Sequence, residues 1–437
     1  MNTIMLPLSP VDTVMHKLDL ALLYIFPSST TTSFDLNKLR SSFVALVEQD
    51  YPFLIGEFCV DPTNGILNVK QTVESRQKGA TAIKFETNPE NPMTTEQAIE
   101  KRSWDMMPST RGKHELICVK GTLFHDGGLA IGIHTSHSLF DGEAFFTFMK
   151  VWGQHYSGIK KEERLVVSHA RHLLNGSGRT SKIKHLEYSI KDKCGALDEA
   201  QSLPAAADHF FYVSPKMMKG VKEAANSSEL KNDKATEASY VSTVDALTAL
   251  MTILISRARD QNQDVNTTTI VNARRHLNPP LPQNYVGNAI FSAVSTYSRP
   301  ELEPRPEDQT LVSPTTLGMV ARRVRSSILQ CDNEYMQDAI DFLTEQRNLA
   351  AVGMSSNHFF GNDLLFTSWV HMDMYDSEFD GVRPSYACFP RFYVGNGMIV
   401  ITEARKGYEG IEIGVVLECS AMERLKKMFA KVSQCYE

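Results

Sequence analysis

Hydrophobic and polar positions along this chain change period several times, and each change marks an element. Leu20 to Phe26 is a short apolar run stopped by Pro27, the pattern of a buried strand. Leu36, Leu39, Phe43, Leu46 and Val47 then recur at helical spacing, and Tyr51-Pro52 ends that helix. Glu115 to Val119 and Leu129 to Ile133 read as two strands, with Asp126-Gly127-Gly128 as the turn between them. In the second strand Leu129, Ile131 and Ile133 share one face, and Ala130, Gly132 and His134 the other. After Asp141-Gly142 the period lengthens: Phe145, Phe148, Met149, Trp152 and Tyr156 fall on one helix face. The unit is strand, sharp turn, helix.

Between about Ser157 and Ala207 the pattern fades into polar stretches, NGSGRTSK at Asn175 to Lys182 and LPAAAD at Leu203 to Asp208, which predict a crossover between two halves. The second half opens with an apolar segment, Phe210 to Val213, and a Met/Lys-rich helix from Ser214. Ser242-Thr243-Val244-Asp245 is a capping-box pattern ahead of a helix through Met251 to Ala258. A proline-rich loop at Asn278 to Pro282, a helix around Met319 to Leu329, strands between Phe392 and Leu417, and a last amphipathic helix from near Ala421 complete the series. Strands and helices mixed in both halves predict an α/β class, with domains over 1–175 and 208–437 and a linker over 176–207.

Length supports that division. A chain of 437 residues, 42% of them hydrophobic, exceeds what a single core holds, about 250–300 residues, so two domains sharing an interface are expected. Such interfaces are common places for ligand pockets. A net charge of -6 with no long block of Lys and Arg argues against a nucleic-acid partner. The N-terminus lacks the basic start and apolar run of a signal peptide, and no stretch approaches 18 uninterrupted apolar residues. A soluble cytoplasmic protein without membrane partners is therefore expected. The seven cysteines, Cys59, Cys118, Cys194, Cys331, Cys388, Cys419 and Cys435, are odd in number and never spaced CxxC. They predict neither a disulfide framework nor a structural zinc site.

The chemistry concentrates in Gly127 to Gly142, GGLAIGIHTSHSLFDG. His137 stands where a strand runs into a turn, so its side chain can project into a cleft while its backbone stays anchored. A neutral imidazole there can take a hydroxyl proton near pH 7 and return it later. Asp141, four residues on, suggests either a His/Asp pair or a carboxylate turned away to hold the turn through an arginine. His134 precedes His137 by three residues, but no third ligand stands at a supporting spacing, so a hydrogen-bonded residue is favoured over a metal ligand. Arg322, Arg323 and Arg325 read as a solvated helix face in preference to a phosphate site.

These residues carry a resemblance. GGLAIGIHTSHSLFDG, the Leu8-Ser9-Pro10-Val11-Asp12 opening, Ser242 to Leu247, Val271-Asn272-Ala273-Arg274, Tyr285-Val286-Gly287-Asn288 and Phe366-Thr367-Ser368-Trp369 occur in the order found in the BAHD superfamily of acyl-CoA dependent acyltransferases. Within it, the chain resembles the fungal branch that includes trichothecene 3-O-acetyltransferase. The resemblance implies two similar-sized chloramphenicol acetyltransferase-like domains, each a mixed sheet with helices, and a tunnel between them with the histidine at its middle. It implies that His137 is the general base, that Asp141 pairs with Arg274, and that Gly142 and Asn288 belong to the support of the site. Trp369, through its indole N–H, and Thr367 would help stabilise the oxyanion, although core packing explains Trp369 as readily. Lys234 and Ser242, near the start of the capped helix, are placed by analogy at the coenzyme A site. The implied ligands are an acyl-CoA co-substrate, acetyl-CoA by preference, and a small-molecule alcohol from secondary metabolism, acted on by a monomer without a permanently bound cofactor or metal.

One segment departs from the family. Its DFGWG signature aligns with Glu378-Phe379-Asp380-Gly381-Val382-Arg383-Pro384, where the acid is Glu and the tryptophan is lost, which predicts altered packing without lost chemistry. Three alternatives stay open: an N-acyltransferase, a condensation or cyclase enzyme on the same fold, and a non-catalytic metabolite-binding protein. Condensation enzymes usually carry a second histidine directly before the motif histidine; here that position is Ser136.

Overall fold

The computed structural model describes residues 2–190, 205–227, 240–259, 263–306, 308, 310–392 and 395–436. Apolar runs form the centres of two mixed sheets. The first has five strands in the order Tyr386–Cys388, Asp19–Phe26, Leu129–Ser136, Ile117–Phe124 and Phe85–Asn91. The second has six, in the order Ile290–Tyr297, Val265–Asn272, Leu364–Ser368, Met398–Glu403, Ile411–Glu418 and Ala206–Val213. The two halves are not separate along the chain. Tyr386–Cys388 comes from the second half and pairs antiparallel with Asp19–Phe26 in the sheet of the first.

Each sheet buries one face under helices. On the first, Leu36–Gln49 and Gly142–Tyr156 pack together, and Trp152 is fully buried between Phe43, at 5.2 Å, and Phe379, at 5.8 Å. Its indole N–H donates to Ser42 Oγ at 3.0 Å, which satisfies the one polar atom that burial would otherwise orphan. Truncating such a side chain costs about 3–5 kcal/mol. On the second sheet, Thr243–Arg259 sets Leu250 and Leu254 into the core shared with Ile399 and Ile413, and Pro314–Gln330 and Cys419–Tyr436 flank it. A third cluster ties the short helix Pro10–Val14 to Tyr285, Met336 and Ile340, fixing the start of the chain against the second half.

The expected strand at Glu115 to Val119 is shifted, to Ile117–Phe124. Glu115 is drawn into the preceding turn, where its carboxylate accepts from the Gly112 N–H at 2.6 Å. The strand continues through Lys120-Gly121-Thr122 because partners on both sides supply ladder hydrogen bonds, overriding the local polar pattern. The expected strand over Leu129 to Ile133 runs on to Ser136, directly before His137. In the polar crossover, Tyr188–Ile190 pairs with Val352–Met354, and His185 sits between Glu187 and Asp338 at 2.8 and 2.9 Å.

The Glu378 to Pro384 segment lies against the helix that follows the motif. A Cβ at Gly153 would stand 2.4 Å from the Glu378 carbonyl oxygen, so only glycine admits this approach. Phe379 fills the core there beside Phe26, at 5.0 Å, while Glu378 and Arg383 pair at the surface at 3.4 Å.

Candidate active site

His137 follows the last residue of the Leu129–Ser136 strand, and its N–H donates to the Leu18 carbonyl of the neighbouring strand region at 2.8 Å. Its ring is half-buried, and Nδ1 lies 3.1 Å from Asn288 Oδ1. The direction of that bond follows from the other end of the amide. Asn288 Nδ2 reaches the His137 carbonyl at 2.8 Å and Asp12 Oδ1 at 3.0 Å, both of which only accept. The amide nitrogen must face them, so the amide oxygen faces the ring and takes a proton from Nδ1. The other ring nitrogen, Nε2, is left with a lone pair and no hydrogen-bond partner among the described residues.

Asn288 is itself held. Its backbone N–H donates to Asp12 Oδ1 at 2.7 Å, and Asp12 Oδ2 meets Arg171 at 2.6 Å in a pair almost wholly removed from solvent. Arg171 also donates to the Leu139 carbonyl at 2.9 Å, inside the turn that carries the motif.

Asp141 turns away from the imidazole. Its carboxylate caps the Gly142–Tyr156 helix through the Ala144 N–H at 3.0 Å and accepts the Ala289 N–H at 2.9 Å. Arg274 grips it bidentately at 2.7 and 2.8 Å, and the same guanidinium donates to the Gly287 carbonyl at 3.0 Å. Every lone pair that points usefully from Asp141 is taken, which leaves nothing to pair with His137. One ion pair thus welds the motif turn to the 285–289 segment that supplies Asn288.

In front of His137 lies a cavity of about 170 Å3 between the two sheets, with walls from both. It occupies the place where the resemblance puts a passage. Thr367 and Trp369, at the end of the Leu364–Ser368 strand and just beyond, share its wall with His137 and Gly142. Trp369 packs edge-on to Phe146 with ring centroids 5.6 Å apart, and its Nε1 makes no protein hydrogen bond among the described residues. A Cβ at Gly142 would come within 3.3 Å of the indole Nε1 and Cδ1, so the motif glycine leaves room for this ring. The remaining lining is mostly apolar, including Met15, Met354, Met372, Met398, Phe359 and Phe389.

Lys234 and Ser242 are the two residues the resemblance implies for coenzyme A. Lys234 lies outside the described residues. Ser242 is occupied in the capping box it was expected to form: its Oγ accepts from the Asp245 N–H at 3.2 Å, and its own N–H donates to Asp245 Oδ2 at 2.8 Å. It is not in the cavity wall. Arg325 approaches Asp245 at 3.8 Å and Arg323 meets Glu301 at 2.7 Å, so these arginines serve the helix packing.

His134 Nε2 lies 3.1 Å from Asp19 Oδ2, with Arg111 on the other oxygen at 2.5 Å. Burial pushes the Asp19 carboxyl up, but the hydrogen bonds from His134 and Arg111 outweigh it and hold it below its usual value. No group of three metal-ligating side chains occurs among the described residues.

Sequence reading did not single out three residues of this region. Arg171 sits in an unpatterned stretch, and its tie to Asp12 crosses 159 positions, so no local signal marks it. His358 lines the cavity and is buried; burial drives its imidazole down to about 4, against a smaller opposing pull from Asp363 and Ser356, so it is neutral at pH 7. Glu143, next to the motif glycine, also faces the cavity, and its position beside Asp141-Gly142 was the available clue.

The Transferase family model matches residues 1–432. Hydroxycinnamoyl-CoA:piscidic acid hydroxycinnamoyltransferase of Actaea racemosa is 28% identical over 290 residues, which cover 62% of this chain and 61% of that relative. Acyltransferase GLAUCE of Arabidopsis thaliana is 23% identical over 411 residues, 90% of this chain and 83% of its own length. Among solved structures, TRI101 of F. graminearum complexed with coenzyme A and deoxynivalenol superposes with a TM-score of 0.77 at 16% identity, covering 97% of each chain. Vinorine synthase gives 0.68 at 17% identity, over 98% of this chain and 94% of that one. At such identities the structural matches establish the fold.

Proposed function

This chain belongs to the Transferase family, the BAHD acyltransferases, and from that premise we propose that it transfers an acetyl group from acetyl-CoA to a hydroxyl of a secondary metabolite, with His137 as general base. The observation that carries this reading is the hydrogen bond from Nδ1–H to Asn288, which leaves the Nε2 lone pair toward the cavity. Nε2 takes the acceptor's hydroxyl proton as its oxygen attacks the thioester carbonyl carbon. The carbonyl electrons move onto oxygen, where the Trp369 N–H and the Thr367 hydroxyl, both in the wall, serve as donors in this reading. Collapse of the tetrahedral intermediate breaks the C–S bond, and the departing thiolate takes the proton back from the imidazolium. No acyl-enzyme is needed, because both substrates are held together and orientation lowers the barrier.

Asp141 acts in this reading through Arg274, as the brace of the turn. The alternative His/Asp dyad finds no support, since the carboxylate's hydrogen bonds are used elsewhere. Support for the donor and acceptor comes from the structural relative solved with coenzyme A and deoxynivalenol.

The test is release of free thiol from acetyl-CoA with a panel of alcohols and amines, with products weighed to tell ester from amide. Wild type is expected to release thiol with an alcohol, and His137→Ala to be slower by about 10²–10⁴-fold, the usual contribution of a positioned base. A wild-type rate in His137→Ala, or no release with any acceptor, overturns the reading.

A further inference from the structure

We propose that the cavity beside His137 selects acceptors that carry no negative charge, and that Glu143 is a specificity residue accepting a hydrogen bond from a second donor group of the acceptor. This inference rests on the acyl-transfer reading above and deepens it to a substrate class.

Glu143 sits in the first turn of the Gly142–Tyr156 helix and lines the cavity with His137. One of its oxygens, Oε2, is taken by the Asn272 side-chain N–H. That amide's orientation is set from behind, since Asn272 Oδ1 accepts the Arg274 backbone N–H at 3.1 Å. The other oxygen, Oε1, stands 3.9 Å from Arg274 Nε, beyond hydrogen-bond reach, and has no donor among the described residues. With 37% of the side chain still accessible, an acceptor-only atom is presented to the cavity.

The rest of the wall sharpens the selection. Among the described residues no Lys or Arg lines the cavity. Asp141 is neutralised by Arg274 and Asp19 by Arg111, while the one histidine of the wall besides the base, His358, is neutral at pH 7. A carboxylate on the acceptor would be desolvated there with Glu143 facing it and with the nearest cation, Arg274, already held by Asp141. The thioester group itself has no hydrogen-bond donor, and the phosphates of coenzyme A are repelled by a carboxylate, so on the donor substrate only the pantetheine amides and hydroxyl compete for this oxygen. It is assigned to the acceptor, and the KM of acetyl-CoA in Glu143→Gln tells the two apart. Beyond it the methionines and phenylalanines of the wall call for an apolar scaffold, with methionine adapting to its shape.

The experiment uses four acceptors built on one apolar scaffold: a mono-alcohol, a vicinal diol, an amino alcohol and a hydroxy acid. Thiol release gives kcat and KM for each, and calorimetry with coenzyme A present gives each affinity. In wild type the diol and the amino alcohol should exceed the hydroxy acid by about tenfold or more in kcat/KM and in affinity. Glu143→Gln should shrink the preference of diol and amino alcohol over mono-alcohol toward unity through KM, with the KM of acetyl-CoA unmoved. Glu143→Lys should raise the affinity for the hydroxy acid above that for the amino alcohol. A hydroxy acid bound as tightly as the diol by wild type, or a Glu143→Gln that weakens all four alike, overturns the proposal. Absence of thiol release with all four overturns the transfer reading instead, while the calorimetric ranking still decides the selection.

Discussion

Behind His137, Asp12 accepts four hydrogen bonds, from Ser9, Asn288 twice and Arg171, and Asp141 accepts four, from Ala144, Ala289 and both ends of Arg274. In front of it, Trp369, Thr367 and Glu143 line the cavity, and each keeps a donor or acceptor that makes no hydrogen bond among the described residues. The rear wall spends its charge on holding backbone segments in place, so removing a group there leaves a buried partner exposed to nothing. The front wall keeps its hydrogen-bonding capacity for a ligand, so removing a group there changes rate or selectivity while the fold stays. The difference gives a way to sort residues that lie within one motif: Asp141 and Glu143 are two positions apart and both line the cavity. Yet Asp141 has its oxygens taken by Arg274 and backbone N–H groups, while Glu143 keeps one without a hydrogen bond among the described residues.

The hardest way to break the comparison is at Asp141. Asp141→Ala leaves the Arg274 guanidinium buried without its partner, and urea unfolding should show a loss of about 3–5 kcal/mol. The motif turn and the Asn288 segment would loosen together, since one ion pair joins them. A loss below about 1 kcal/mol, the range of exposed pairs, would show that Asp141 does not brace the turn.

Much of this division was legible before any coordinates. The strand before His137, the helix after Asp141 and the capping box at Ser242 to Asp245 are local patterns, each decided by residues within a turn or two. The pair of Asp141 with Arg274 was reached through resemblance, since 133 positions separate the partners and no periodicity links them. Arg171 and Tyr386–Cys388 were missed for the same reason: a lone arginine in a polar stretch and a three-residue strand acquire their roles only from what tertiary packing brings beside them. Polar Lys120 to Thr122 misled the strand boundary because ladder partners on both sides outweigh local preference.

The front wall has one member that burial, not chemistry, controls. His358 titrates near 4 when folded and near 6.5 when free, so the unfolded chain binds its proton first as pH falls. Its neutral form is compatible with the native state above pH 6.5, and the cost of keeping it neutral grows from pH 6.5 down to about 4. Over that window stability should fall by on the order of 3 kcal/mol from this residue. In His358→Leu the fall should be correspondingly shallower, as read from urea midpoints at pH 7, 5.5 and 4.5. Parallel curves for the two proteins would remove His358 from the cavity's buried wall.

The mildest effect is expected where the two walls meet, at Asn288. Its side chain belongs to the rear network through Asp12 and to the front through His137 Nδ1, so it positions the base without touching substrate. Asn288→Ala removes the acceptor that fixes the proton on Nδ1, and a free imidazole prefers to carry it on Nε2, the nitrogen that must accept from the substrate. Loss of a buried hydrogen bond worth about 1–2 kcal/mol should lower kcat by about tenfold while the KM of acetyl-CoA stays near its wild-type value. Nitrogen NMR of His137 separates this from simple loosening: the wild type should show the proton on Nδ1, and the variant a shift of population toward Nε2–H. If kcat falls while the ring keeps its Nδ1 proton, Asn288 serves the rear wall alone, and another group must orient the imidazole.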